Sequence, residues 1–147
     1  MNRRRQKKLS KRLVEAATFG DSTDVNALLR AGAHPEASDG EGTTPLYAAS
    51  VNGATDNVRC LLAAGALPDT ESGRGAEGTP LCAAACWGHT ETVRALLAHG
   101  ADPDLREDHG MGRSPLEWAM TGPYPETIAM LLAAGARPHN RAASPIS

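Results

Sequence analysis

The residues best equipped for chemistry in this 147-residue sequence are three cysteines, five histidines and a run of cations near the N-terminus. Cys82 and Cys86 stand one helical turn apart and His89 follows three residues later, a grouping from which a thiolate nucleophile or part of a metal site could be built. The pattern lacks what either chemistry needs. Its spacing is neither C-x-x-C nor a paired-finger arrangement, and Cys60 sits among leucines. His34, His99, His109 and His139 fall in segments of loop character, with no H-E-x-x-H or comparable ligand set. There is no phosphate-binding glycine loop, no dinucleotide glycine string after a strand and no G-x-S-x-G nucleophile elbow. The expectation is a protein with no catalytic, cofactor-binding or metal-ligating residues, and so not an enzyme.

The cations suggest a different chemistry. Arg3, Arg4, Arg5, Lys7, Lys8, Lys11 and Arg12 put seven positive charges and no acid into the first twelve residues, whereas the rest of the chain carries eight basic and 17 acidic residues. A +7 arm thus precedes a −9 body. Such an arm could neutralise phosphates, so nucleic-acid association through it, with the body as scaffold, is the alternative function. Against this, the arm has no aromatic residue to stack on bases, and the acidic body repels a polyanion; a frayed, solvated helix extension or a solubility tail accounts for the arm without a ligand. The arm also resembles the basic start of a secretion signal, but no apolar segment follows it, and no run approaches the roughly 18 apolar residues of a membrane span. An odd number of cysteines without a signal fits a reducing cytosol and free thiols. A soluble, cytoplasmic, monomeric protein is expected. Arginine outnumbers lysine 12 to 3 and alanine is abundant, a bias associated with GC-rich bacterial genomes.

The elements that would position any site follow from internal repetition. Gly-Ala pairs begin at Gly32, Gly65, Gly100 and Gly135, separated by 33, 35 and 35 residues. In phase with them run Thr44-Pro45-Leu46, Thr79-Pro80-Leu81 and Ser114-Pro115-Leu116, each 35 apart, and the leucine pairs 28-29, 61-62, 96-97 and 131-132. Thr or Ser followed by Pro reads as an N-cap and first helical residue: the hydroxyl accepts from an orphan amide, and proline's φ is preset for a helix. Ser114 and Glu117 have capping-box spacing. Gly53 and Gly88 separate a first helix from a second; the marker glycines suit the left-handed residue that ends a helix, and Pro35, Pro68, Pro103 and Pro138 prevent its continuation. Each unit reads as a helical hairpin. With only five aromatic residues, the core must be built from Leu, Ala and Val.

The strings TPLYAASVNGATDNVRCLLAAGALPD and TPLCAAACWGHTETVRALLAHGADPD resemble ankyrin repeats, whose signature is T-P-L-H-x-A. The resemblance covers residues 9 to about 140. It implies an all-α solenoid of four helix-turn-helix repeats with hairpin-like finger loops, acting as a protein-protein interaction module on an unidentified protein. On this reading residues 1–8 are the basic arm, 9–140 the repeat domain in units of about 9–42, 43–77, 78–112 and 113–140, and 141–147 a tail. The first unit, without TPL, and the last are expected to cap the stack. Several positions depart from the pattern: Tyr47, Cys82 and Glu117 stand where the signature has His, and Pro123-Tyr124 replaces Gly-His in the last unit. The connections 65–79 and 100–114 are two residues longer than 32–44, which predicts fingers that project further.

Helical spacing divides the first helix of the third unit into two faces. Leu81, Ala84 and Ala85 form a core face, and Ala83, Cys86 and Trp87 form the face that ankyrin modules point into their concave groove. Carried through the repeats, that register gives three columns: Glu15, Ala48, Ala83, Trp118; Thr18, Val51, Cys86, Thr121; and Phe19, Asn52, Trp87, Gly122. The predicted partner-binding residues are Phe19, Val51, Asn52, Cys86, Trp87, Trp118 and Thr121, with the two tryptophans as anchors. Alternatively, a Trp here leans half-buried on a neighbouring repeat. The fingers 69–78 and 104–113 would form a polar rim or solvated tips.

Overall fold

The computed structural model describes residues 2–138; His139 and the tail expected at 141–147 lie outside the described residues. Among those described, eight α-helices occur in four hairpins: α1 (Arg3–Phe19) with α2 (Ser22–Arg30), α3 (Pro45–Val51) with α4 (Thr55–Ala63), α5 (Pro80–Cys86) with α6 (Thr90–Ala98), and α7 (Pro115–Ala119) with α8 (Pro125–Ala133). The first helices α1, α3, α5 and α7 stack in one layer, and the second helices α2, α4, α6 and α8 in another. The result is the all-α repeat solenoid expected from the sequence.

The helix starts lie where the capping chemistry puts them. Thr44 and Thr79 accept hydrogen bonds from the amides of Tyr47 and Cys82, and Ser114 and Glu117 bond each other's amides reciprocally. Asp21 and Asp24 make a second capping box at α2. Asn2 caps α1 by accepting from the Arg5 amide, so residues 3–8 are the first turns of α1, continuous with the helix. The backbone does not divide at residue 8.

Between the layers runs a single apolar seam. Leu13, Leu46, Leu81 and Leu116 occupy the same place in successive units and are all buried, as are Val25, Val58 and Val93, and Leu61, Leu96 and Leu131. Polar side chains stitch the same seam. Asn57 donates to the carbonyls of Ala17 and Gly20 in the preceding unit, and hydroxyl pairs Thr55–Thr92 and Thr90–Thr127 close at 2.8 Å across the next two junctions.

Gly53 and Gly88, both with positive φ, carry a second constraint besides the turn. A Cβ on Gly53 would lie 2.6 Å from Nδ1 of His89, and one on Gly88 would collide with the ring of Tyr124. In the third and fourth units this ring leans into the turn of the unit before it, and the His89 Nε2 approaches the Val51 carbonyl at 3.0 Å. Tyr124 fills the His89 position by packing on Gly88.

The two ends of the stack differ. In the first three units Ala17, Ser50 and Ala85 are fully buried against the following unit, whereas Met120, in the same position, is 64% exposed, and Leu132 is 46% exposed. Among the described residues no helix is long and apolar enough to cross a membrane.

Two substitutions test this core. Leu96→Ala should lower unfolding free energy by about 2–5 kcal/mol, because the hole cannot collapse between units packed on both sides. Ser50→Ala should raise it by about 1 kcal/mol, because the Ser50 Oγ is buried without a hydrogen-bond partner and alanine already serves at the equivalent positions 17 and 85. Urea melts monitored by far-UV circular dichroism measure both.

Candidate partner-binding face

The predicted columns lie along the first helices and their C-terminal ends, and their members are not equally available. Ala48 and Ala83 are buried; Thr18, Val51 and Cys86 are half-buried; Phe19 is 88% exposed and Trp87 59%. The polar members bond to their own helices. Thr18 Oγ1 donates to the Val14 carbonyl at 2.8 Å, Asn52 Nδ2 to the Ala48 carbonyl at 2.8 Å, and Thr121 Oγ1 to the Trp118 carbonyl at 2.6 Å. Phe19 and Trp87 therefore present the large apolar surface of this face.

Trp118 is placed differently. It is half-buried against the core, its Nε1 donates to Glu107 Oε1 at 2.6 Å, and the Arg113 guanidinium lies 4.8 Å from its ring centroid. The two tryptophans expected to act as a pair thus divide between a free surface and a brace for the finger 104–113, the third when the shorter connection 32–44 is counted as the first and 69–78 as the second.

The fingers are bonded to one another. In the second, Ser72 pairs with Gly78 across a 3₁₀ turn at Gly73–Gly75, and the Gly73 amide donates to the Gly42 carbonyl of the first at 2.8 Å. Glu77 accepts from Thr43 and Ser72, and Glu71 accepts from the His109 amide of the third finger. Arg106 pairs with Glu117 at 2.7 Å. Below the fingers runs a ladder: the Glu36 carboxylate accepts from the Leu67 amide, Asp69 from the Asp102 amide and Asp104 from the Arg137 amide, all within 2.8–3.0 Å. Sequence reasoning passed over these acids, although each directly follows the proline of its unit and recurs at the repeat period.

The three residues standing in for the signature histidine each face a finger. Tyr47 is half-buried and its hydroxyl pKa is pushed up to about 12, mainly by burial and further by the charges of Glu77 and Glu107. Cys82 is buried, and its thiol points at the carbonyls of Leu105 and Arg113, 3.8 and 3.6 Å away. Burial pushes its pKa to about 12, so the thiol stays protonated and is a poor nucleophile at neutral pH. Burial raises Cys86 as well, with Glu107 adding to the effect and Arg113 opposing it. Glu117 completes the capping box of α7. Among the described residues no group of three or more His, Cys, Asp or Glu side chains is placed to hold a metal ion.

A stack of helical hairpins with linked fingers and an exposed aromatic face defines a repeat-scaffold protein. A family model described as ankyrin repeats in three copies matches residues 13–107 and again 68–142, and the chain belongs to that family. Ankyrin repeats are generally protein-protein interaction modules. A comparison with curated proteins gives no match.

Glu107 provides a test of the finger geometry. Burial raises its pKa, the Glu71 charge adds to the rise, and the Trp118 hydrogen bond and the Arg113 charge oppose it. A carboxyl whose folded pKa lies above its unfolded value gives stability that is complete below the unfolded pKa and is lost as pH rises through the folded one. Glu107→Gln keeps an acceptor for Trp118 but cannot titrate. The variant should therefore gain stability relative to wild type as pH rises from the ordinary carboxylate range to neutrality. Urea midpoints across that range measure it; a constant difference would show that Glu107 titrates alike in both states.

Proposed function

We propose that the chain binds a protein through the groove formed by its first-helix layer and fingers, with Phe19 and Trp87 as apolar anchors and Val51, Asn52, Cys86 and Thr121 around them. The observation that carries this reading is the exposure of those two large aromatic side chains in a chain with only five aromatics and otherwise small core residues. Aromatic side chains bring much apolar area with few torsions to freeze, which makes them frequent binding hot spots. Trp118, Arg113 and the linked fingers act beside them as a preformed polar rim, which lowers the entropy lost on binding. The family's usual lack of enzymatic activity agrees with a binding role, as does the protonated state of Cys82.

The test is affinity capture from a native lysate with wild type, the Phe19→Ala, Trp87→Ala double variant and Trp118→Ala. Both anchors are exposed, so the double variant should melt within about 1 kcal/mol of wild type. A nuclease-insensitive protein held by wild type and lost from the double variant is the expected result. If the double variant retains that protein, the assignment of the face fails. If the retained material is nucleic acid that disappears with Arg3 to Lys8, the basic segment is the functional element.

A further inference from the structure

The cations at the start of α1 stand apart from the carboxylates of the fingers, which are bonded. Arg3, Lys7 and Lys11 lie four residues apart on α1 and form one wall of a groove of about 540 Å³. Ser38 to Gly40 of the first finger and Arg74 of the second form the opposite wall. Among the described residues, none of these four cations makes an ion pair. Asp39 is the only acid on the walls, and its Oδ1 already accepts from the amides of Glu41 and Thr43 at 2.9 and 3.0 Å.

Arg74 is held at the rim by the backbone. It has φ 56°, a conformation that non-glycine residues rarely adopt, and sits in a 3₁₀ turn fixed by the Gly73–Gly42 and Gly75–Ser72 hydrogen bonds. A long cationic side chain is thus presented from a preformed loop rather than from a free one.

The spacing of the row indicates what shape of anion fits. Side chains four residues apart on a helix are separated by about 6 Å along its axis, so the row covers about 12 Å. An extended peptide places side chains on one side every two residues, at about 6.6 Å. Alternating carboxylates therefore keep step with Arg3, Lys7 and Lys11. No aromatic residue lines the groove to stack on bases, which disfavours a nucleic acid.

We infer that this groove takes an extended acidic segment of the protein partner, with alternate Glu or Asp side chains meeting Arg3, Lys7 and Lys11 while Arg74 closes on them from the finger. The inference rests on the reading of the face as a protein-docking surface.

The experiment uses the full chain at low ionic strength with three fluorescent probes: a short peptide alternating glutamate and serine, its glutamine counterpart, and an oligothymidylate. Anisotropy should report binding of the glutamate peptide and not of the glutamine one. Lys7→Gln and Arg74→Gln should each weaken it about threefold, the size of an exposed ion pair. Arg4→Gln and Lys8→Gln remove the same charge outside the groove and should leave it unchanged. Equal weakening by Arg4→Gln or Lys8→Gln would mean diffuse attraction and overturn the site. Tighter binding of oligothymidylate, weakened by the same groove variants, would overturn the choice of peptide. An unbound glutamate peptide, alongside partner capture that depends on Phe19 and Trp87, overturns the groove alone; capture that ignores Phe19 and Trp87 overturns the wider reading whatever the peptide does.

Discussion

No unit of this protein has a core of its own. A hairpin of two short helices has one apolar stripe and nothing within itself to cover it, so Leu46, Leu81 and Leu116 are buried only because each unit lies against the next. Every other feature conforms to that requirement. Alanine is used where first helices touch, since a larger side chain would separate the layers. Glycine occupies positions 53 and 88 because the turn needs positive φ and because the next unit's ring needs the space where a Cβ would be. The Thr55–Thr92 and Thr90–Thr127 hydroxyl pairs fall at the same junctions, so apolar and polar contacts enforce a single register.

Much of this was legible in the sequence because a solenoid repeats its local signals. Thr44, Thr79 and Ser114 announce helix starts by their chemistry, and the period confirms them; the first leucine of the pairs 61-62, 96-97 and 131-132 marks the buried face of the second helix. What periodicity cannot convey is how an individual side chain deviates. Trp87 and Trp118 sit at different positions of the register, and only the third finger, through Glu107 and Arg113, decides that one is braced and the other free. The carboxylate ladder of Glu36, Asp69 and Asp104 was present in the spacing, yet acids in loops read first as solvated charge. Asn2 was equally hard to see as a cap, because a run of cations in a first turn opposes the helix dipole and reads as a frayed end.

The distribution of charge reflects the same economy of contacts. Many acids are fixed by backbone amides: Glu36, Asp69 and Asp104 hold one unit to the next, Asp39 holds its own turn, and Glu71 holds the third finger to the second. Their charge is thereby tied to architecture. The cations on α1 have no such duty. Among the described residues Arg3, Lys7 and Lys11 make no ion pair, so the packing of the units does not use their charge.

Rigidity of the fingers bears on how the face could bind. Loops of this length would ordinarily lose considerable freedom when a partner fixes them, at about 1–2 kcal/mol for each backbone residue ordered. Here the first finger is joined to the second through Gly42–Gly73 and Thr43–Glu77, and the second to the third through Glu71–His109. Most of that ordering has taken place on folding. A partner docking on Phe19 and Trp87 as proposed would therefore find the rim already set, and the energy of contact would go into affinity rather than into arranging the loops.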